Sequence, residues 1–186
     1  MIEIPKPFDS WGYVNEAPTE EASLMVTMGW LIANNKIKTE MTNDIAYAMN
    51  LGGYMAGAAE GASNIGKLIL YELLSDELHD KLVGSNEISA VAEAWFLKAM
   101  ESKYHSPQAE IEMATITVLK PITNESKAIV KNYLTQGKKN IEDPSSLWAD
   151  EKEDYLCEIK NKRAILEQYF KKNSFSKVSI LKSALK

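Results

Sequence analysis

One cysteine and two histidines are the only thiol and imidazole side chains in 186 residues, so Cys157, His79 and His105 can build neither an internal disulfide nor a zinc cage of thiolates and imidazoles. Arginine is almost as scarce. Arg163 is the only one among 21 basic residues, which face 26 acids for a net charge of −5. Nucleic-acid binders rely on a cationic surface rich in arginine forks, so this balance points away from DNA and RNA. No apolar run approaches the ~20 residues that span a bilayer. The opening Met1-Ile-Glu-Ile-Pro-Lys lacks a basic patch followed by an apolar stretch. The chain therefore reads as cytoplasmic, without a membrane partner. Long alternating runs of Val, Ile and Thr are also missing. Only Ala114-Thr-Ile-Thr-Val-Leu119 has strand character, and one isolated segment builds no sheet.

What remains is a chain of good helix formers whose apolar residues recur every three or four positions. Apolar residues at 45% and charged ones at 25% suit a folded chain, and the length suits one compact unit or a short repeat array. Residues 1–18, with Pro5, Pro7, Gly12 and Pro18, read as an extended lead-in that Phe8, Trp11 and Tyr13 pin to the body. Helices are expected from Thr19, a cap followed by Glu20 and Glu21, to Asn34-Asn35; from Thr42 or Asn43 to about Glu60; and from about Ser63 to Leu74. A short helix plus turn covers Ser75 to Gly84, and further helices run from Asn86 to about Lys103 and from Pro107 to Lys120. Asn124 to Gln136 stops at Gly137, a long helix runs from Pro144 or Ser145 to about Lys172, and a short basic tail helix ends the chain. The expected fold is all-α, with residues 1–18 extended, 19–140 a helical-repeat domain and 141–186 capping helices. Between Lys160 and Lys186 eight basic residues face the single acid Glu167, a local charge of +7 that leaves −12 on the rest.

Internal repetition supports the repeat reading. Tyr54-Met-Ala-Gly-Ala-Ala-Glu-Gly61 aligns with Trp95-Phe-Leu-Lys-Ala-Met-Glu-Ser102 at an offset of 41, aromatic on aromatic, Ala58 on Ala99 and Glu60 on Glu101. At these residues the chain resembles the Sel-one-like repeat family, relatives of the tetratricopeptide repeats. Leu24-x-x-x-Met28-Gly29-Trp30-Leu31-Ile32 resembles the first-helix signature, Tyr54 to Glu60 and Trp95 to Glu101 the second, and Gly66, Leu70, Leu73 and Leu74 occupy first-helix places of the next unit. A third unit begins at Ala109-x-x-x-Met113-Ala114 and ends near Gly137; Tyr71 and Ala114 stand where the first unit has Gly29. The resemblance implies a short right-handed array of antiparallel helix pairs, capped by the long C-terminal helix. The small residues Gly53, Ala56, Gly57, Ala59 and Gly61 independently suggest a closely approaching neighbour, since each glycine costs a helix about 1 kcal/mol.

Catalytic signals are weak. Gly61-Ala-Ser-Asn-Ile-Gly66-Lys67-Leu68 is one residue short of a phosphate-binding loop, lacks a preceding strand, and reads as a helix-turn-helix joint. His79 among Asp76, Glu77 and Asp80 reads as a solvated helix end, and His105 beside Ser106 lacks triad spacing. The acids from Glu142 to Glu158 read as a solvated face with interleaved lysines, and Cys157 as packed and inert. No metal and no cofactor are implied. Carried over by register from tetratricopeptide-like folds, the groove-lining positions are Val26, Trp30 and Asn34, then Leu68, Glu72 and Asp76, then Ile111 and Thr115. Trp30 is the natural anchor, or else a packed core ring. The expected function is a non-enzymatic module that binds a basic protein or peptide in an acidic groove, as a small adaptor or an immunity or inhibitor protein. The alternatives are a helical enzyme or ligand-binding bundle working through Asp76, Glu77, His79 and Asp80, and an oligomer assembled through the terminal helix.

Overall fold

The computed structural model describes residues 2–37, 42–123, 125–143 and 146–172; the expected basic tail helix lies outside them. The described residues are all-α, with no strand among them. Ala114 to Leu119 belongs to a helix, so its strand character was misleading. The chain divides into two compact units, Met1–His105 and Ser106–Lys186, a boundary that falls inside the expected 19–140 domain.

In the first unit the lead-in is not wholly extended. Asp9 caps a short helix α1 (Ser10–Asn15), its carboxylate accepting from the amides of Trp11 at 3.0 Å and Gly12 at 2.9 Å. Of the three aromatics expected to pin the segment, only Tyr13 is buried; Phe8 is 85% and Trp11 65% exposed. The Tyr13 hydroxyl donates to the Lys98 carbonyl at 2.6 Å, the Tyr54 hydroxyl to the Pro5 carbonyl at 2.8 Å, and the Phe8 amide to the Met55 carbonyl at 2.9 Å. The rings of Tyr13, Tyr54 and Trp95 continue edge to face, with centroids 5.5 and 5.6 Å apart. Burial, reinforced by the Glu101 charge, raises the pKa of both phenols, which keeps them protonated as donors.

Helix α2 (Glu20–Ala33) starts at the Thr19 cap, as expected. Helices α3 (Asn43–Met55) and α4 (Ala59–Leu70) are separated earlier than the sequence suggested, because Gly57 adopts φ +105° and turns the chain between them. The phosphate-loop-like stretch therefore lies inside α4. Helix α5 (Asp76–Val83) ends at Gly84 and α6 (Ile88–Ala99) follows.

Glycines set the packing of α2, α3 and α4. A Cβ on Gly29 would meet the Asn50 side chain and, at 3.0 Å, the Ala46 carbonyl, while one on Gly53 would meet the Ala22 carbonyl at 2.8 Å. The pairs 29 with 46–50 and 53 with 22–26 make α2 and α3 antiparallel. A Cβ on Gly61 would strike the Asn50 carbonyl, and the Asn64 amide donates to the Asn50 side-chain oxygen at 2.9 Å, so α3 and α4 are antiparallel too. Gly66 in turn admits the Phe96 ring of α6.

The second unit contains α7 (Gln108–Leu119), α8 (Ser126–Glu142) and α9 (Lys152–Lys172), the last entered through a 3-10 turn at Ala149–Glu151. Helix α8 passes straight through Gly137 instead of stopping there. A Cβ on Gly137 would lie 3.3 Å from the Glu110 Cβ and 3.8 Å from Ile159, so the missing side chain serves close approach to α7 and α9. Ile111, Val118, Leu134, Ile141, Ile159 and Leu166 fill the core. Charge enters this core at Lys162, which is 5% exposed: its ammonium donates to the Thr115 hydroxyl at 2.9 Å and sits 3.7 Å from the Glu112 carboxylate. The Gln108 amide donates to Glu112 at 2.9 Å and to Glu158 at 3.2 Å. The pairs 108 with 158 and 112 with 162 set α7 and α9 parallel.

Two stability predictions follow from these contacts. Gly61→Ala forces α4 away from the α3 backbone and is expected to cost about 1–3 kcal/mol, read as a lower urea midpoint; an unchanged midpoint would show that no such contact exists. Lys162→Met strands a buried carboxylate and should cost about 3–5 kcal/mol. Adding Glu112→Gln should recover most of that loss, and no recovery in the double variant would refute the pairing.

Candidate functional site

Because α2 and α4 both run antiparallel to α3, the C-terminal ends of α2 and α4 lie at the same end of the first unit as the N-terminus of α3. Two links tie the start of α3 to the segment after α4. The Asn43 amide donates to the Leu73 carbonyl at 2.8 Å, and Asp44 accepts from the Ser75 amide at 2.9 Å and from its hydroxyl at 2.6 Å. Ser75 also caps α5, whose first turn carries Asp76 and Glu77.

The two C-terminal ends share one geometry. Asn35 at φ +52° closes α2 through Asn35 N–H to Ile32 C=O and Lys36 N–H to Leu31 C=O; Glu72 at φ +53° closes α4 through Glu72 N–H to Ile69 C=O and Leu73 N–H to Leu68 C=O. This is the Schellman arrangement, which normally takes glycine because a side chain in the left-handed region is strained. A glutamate at that position is displayed outward, and Glu72 is exposed.

Two helix C-termini and two N-termini meet at this end, so their dipoles largely cancel and side chains decide the sign. Among the described residues of the turns and terminal helical turns here, Asp44, Glu72, Asp76 and Glu77 outnumber Lys36 and Lys67. Trp30, one turn before the end of α2, is 37% exposed, so it offers part of its ring to solvent. Asn34 is exposed, but its amide turns back to the Trp30 carbonyl at 2.8 Å.

Four of the eight expected groove positions therefore reach the surface: Trp30, Asn34, Glu72 and Asp76. The other four require correction. Val26 is buried against α3 at Gly53, Leu68 lies in the core of the first unit, and Ile111 lies in that of the second. Thr115 is buried as the acceptor for Lys162. The inherited register puts these four on a free face, whereas small residues and the buried lysine turn those faces inward.

The remaining chemical candidates are placed as follows. The His79 side chain is only 16% exposed, not a solvated helix end, with Nδ1 4.0 Å from the Asp80 carboxylate. Asp76, Glu77 and Asp80 are exposed around it. His105 Nδ1 contacts the Ser102 carbonyl. Cys157 is exposed, not packed, and its sulfur accepts from the Asn161 amide at 3.6 Å. Among the described residues no group of three or more His, Cys, Asp or Glu side chains is arranged to hold a metal ion, and no helix is long and apolar enough to cross a membrane. Sequence reasoning missed the buried set of Gln108, Glu112 and Lys162, with the half-buried Glu158 beside it. Its one signal was Lys162 standing on the apolar stripe of Tyr155, Ile159 and Leu166. Glu112 and Lys162 are nearly inaccessible, so the set serves to join helices.

No family model matches the chain, and neither a curated protein nor a solved structure matches it.

Glu72 permits a test that separates fold from surface. Glu72→Gly relieves a left-handed side chain, so thermal stability should hold or rise by up to about 1 kcal/mol. A clear loss of stability would mean that the Glu72 side chain helps to hold the fold.

Proposed function

We propose that this protein is a non-enzymatic helical-repeat adaptor in the cytoplasm that receives a basic protein or peptide segment at the acidic end of its first unit. The observation that carries the reading is the presence there of Glu72, Asp76 and Glu77 beside turns hydrogen-bonded to the start of α3, with a partly exposed Trp30 one turn before the end of α2. Excess negative charge draws in a basic partner and speeds encounter, and a partly exposed indole supplies the apolar anchor on which interface energy concentrates. An immunity or inhibitor protein that covers a basic toxin surface is one form such an adaptor takes.

The repeat part of the proposal draws on packing order. Helix α2 packs on α3, α3 on α4 and α4 on α6, the succession expected of stacked helix pairs. The aligned aromatics Tyr54 and Trp95 pack against each other edge to face. The helix ends are less regular: at the offset of 41, Met55 falls on Phe96, yet α3 ends at Met55 and α6 at Ala99.

Affinity purification from the source cell, followed by mass spectrometry, should recover a specific basic protein that is released as salt rises. Trp30→Ala combined with Glu72→Lys should reduce its recovery at least about tenfold, as expected when an anchor ring and a steering charge are both removed. Failure to recover any specific protein, or equal recovery with the double variant, would end this reading.

A further inference from the structure

We propose that the outer face of the α2–α3 pair is a dimer surface, on which a second copy of this chain lies turned end for end with its α2 antiparallel to the first. The face is separate from the acidic end, and the inference does not rest on the function proposed above.

The composition of α2 is unusual for a helix at a surface. From Ala22 to Asn35 the chain holds no charged residue, although a surface helix ordinarily sets charged and polar side chains opposite its buried stripe. Ala22, Val26, Gly29 and Ile32 fill the buried stripe. Leu24 and Met25 remain 63% and 43% exposed, and Met28, one turn on and across the helix from Trp30, is partly exposed. Helix α3 continues this face. A Cβ on Gly52 would lie 3.3 Å from the Met25 sulfur, and the antiparallel register that sets position 25 beside 52 brings Met28 beside Met49 and the end of α2 beside Ile45. Ile45 is 40% exposed, Met49 is partly exposed, and Ala48 is open to solvent. Leu24, Met25, Met28, Ile45 and Met49 thus make one apolar surface, rich in the adaptable thioethers that suit a contact face. It lies on the pair of helices that opens the packing succession, where a stack that is to remain alone needs a polar outer side.

Charge at the two ends selects the occupant. Glu21, exposed in the first turn of α2, stands three and four residues before Leu24 and Met25 and therefore on their side of the helix. Just past the other end is the exposed Lys36, whose amide donates to the Leu31 carbonyl at 2.9 Å. Asp44, the charged residue of α3, is engaged by Ser75. A second copy reversed about Met28 sets Glu21 of each chain beside Lys36 of the other, with apolar surface on apolar surface between them. The parallel alternative sets acid on acid and lysine on lysine. Reversal also places the helix dipoles in their favourable opposed sense, so the face is complementary to itself in charge and in polarity, as a two-fold contact requires. A strongly charged partner gains nothing from the neutral span between the ends.

The test is sedimentation velocity of the full chain over a concentration series reaching about 1 mM. The expected result is a monomer–dimer equilibrium whose dissociation constant rises at least about tenfold in Leu24→Asp and in Ile45→Asp, each of which places a charge in the apolar contact. Glu21→Lys alone and Lys36→Glu alone should each weaken the dimer about threefold or more. An equimolar mixture of these two variants should associate more tightly than either by itself, because only the mixed pair sets opposite charges together at both ends. Circular dichroism of each variant establishes that the helices remain formed. The proposal is overturned if the chain stays monomeric throughout, if the dimer is unchanged by Leu24→Asp and Ile45→Asp, or if the mixture associates no better than its components. It is also overturned if the monomer instead takes phosphatidylcholine vesicles or a synthetic leucine–alanine helix on this face, with binding lost in Leu24→Asp; the occupant is then a lipid surface or the helix of another protein.

Discussion

Backbone contact at glycine is the constraint on which the first unit depends. Helix α3 is flanked by two neighbours, meeting α2 through Gly29 and Gly53 and α4 through Gly61. Each glycine sacrifices about 1 kcal/mol of helix propensity, and the return is a separation short enough for main chain to touch main chain. At that separation Asn50 fits between the helices, bonding back to the Ala46 carbonyl at 2.8 Å and accepting from Asn64. A buried amide satisfied on both sides gives the stack a register that purely apolar contact would leave loose. The consequence is felt at the helix ends, where the Asn43–Leu73 and Asp44–Ser75 hydrogen bonds form because α4 stops at the height where α3 starts.

Matching heights turn separate chain reversals into one surface. The turns that close α2 and α4 have the same hydrogen-bond pattern, and both place a non-glycine residue in the left-handed region. Gly57 closes α3 with the same pattern and carries no side chain there. The contrast is informative: where glycine would be the cheaper choice, Asn35 and Glu72 stand instead. Strain retained by an exposed acidic side chain, next to Asp76 and Glu77 on the first turn of α5, fits a surface shaped for a partner more readily than one shaped for stability.

Helix content and most helix starts were legible because they are local. Thr19, Ser75 and the acids behind them announce their helices by capping and dipole chemistry alone. Glycine was less legible because it has two uses with the same appearance. Gly137 looks like a stop and is a contact, while Gly57 sits among alanines like a contact and is a stop; only the neighbouring helix distinguishes them. Asp9 was overlooked because prolines around it suggested extended chain. Of the groove positions taken from the register of a resembling family, Trp30, Asn34, Glu72 and Asp76 are exposed. Val26, Leu68, Ile111 and Thr115 were misplaced, since that register knows nothing of Gly53 opposite Val26 or of Lys162 reaching Thr115.

Lys162 also fixes the helix register of the second unit. A buried ion pair adds little stability over an apolar pair of the same volume, but it penalises every arrangement in which one charge is left alone. Sliding α9 by one turn along α7 would separate Lys162 from Glu112 and Thr115, and Glu158 from Gln108, so the parallel register is specified by charge. Helix α8 is then held in place by contacts on its inward stripe, with Gly137 giving close approach to both neighbours. Tyr133, on the next face of the helix, packs against the same core.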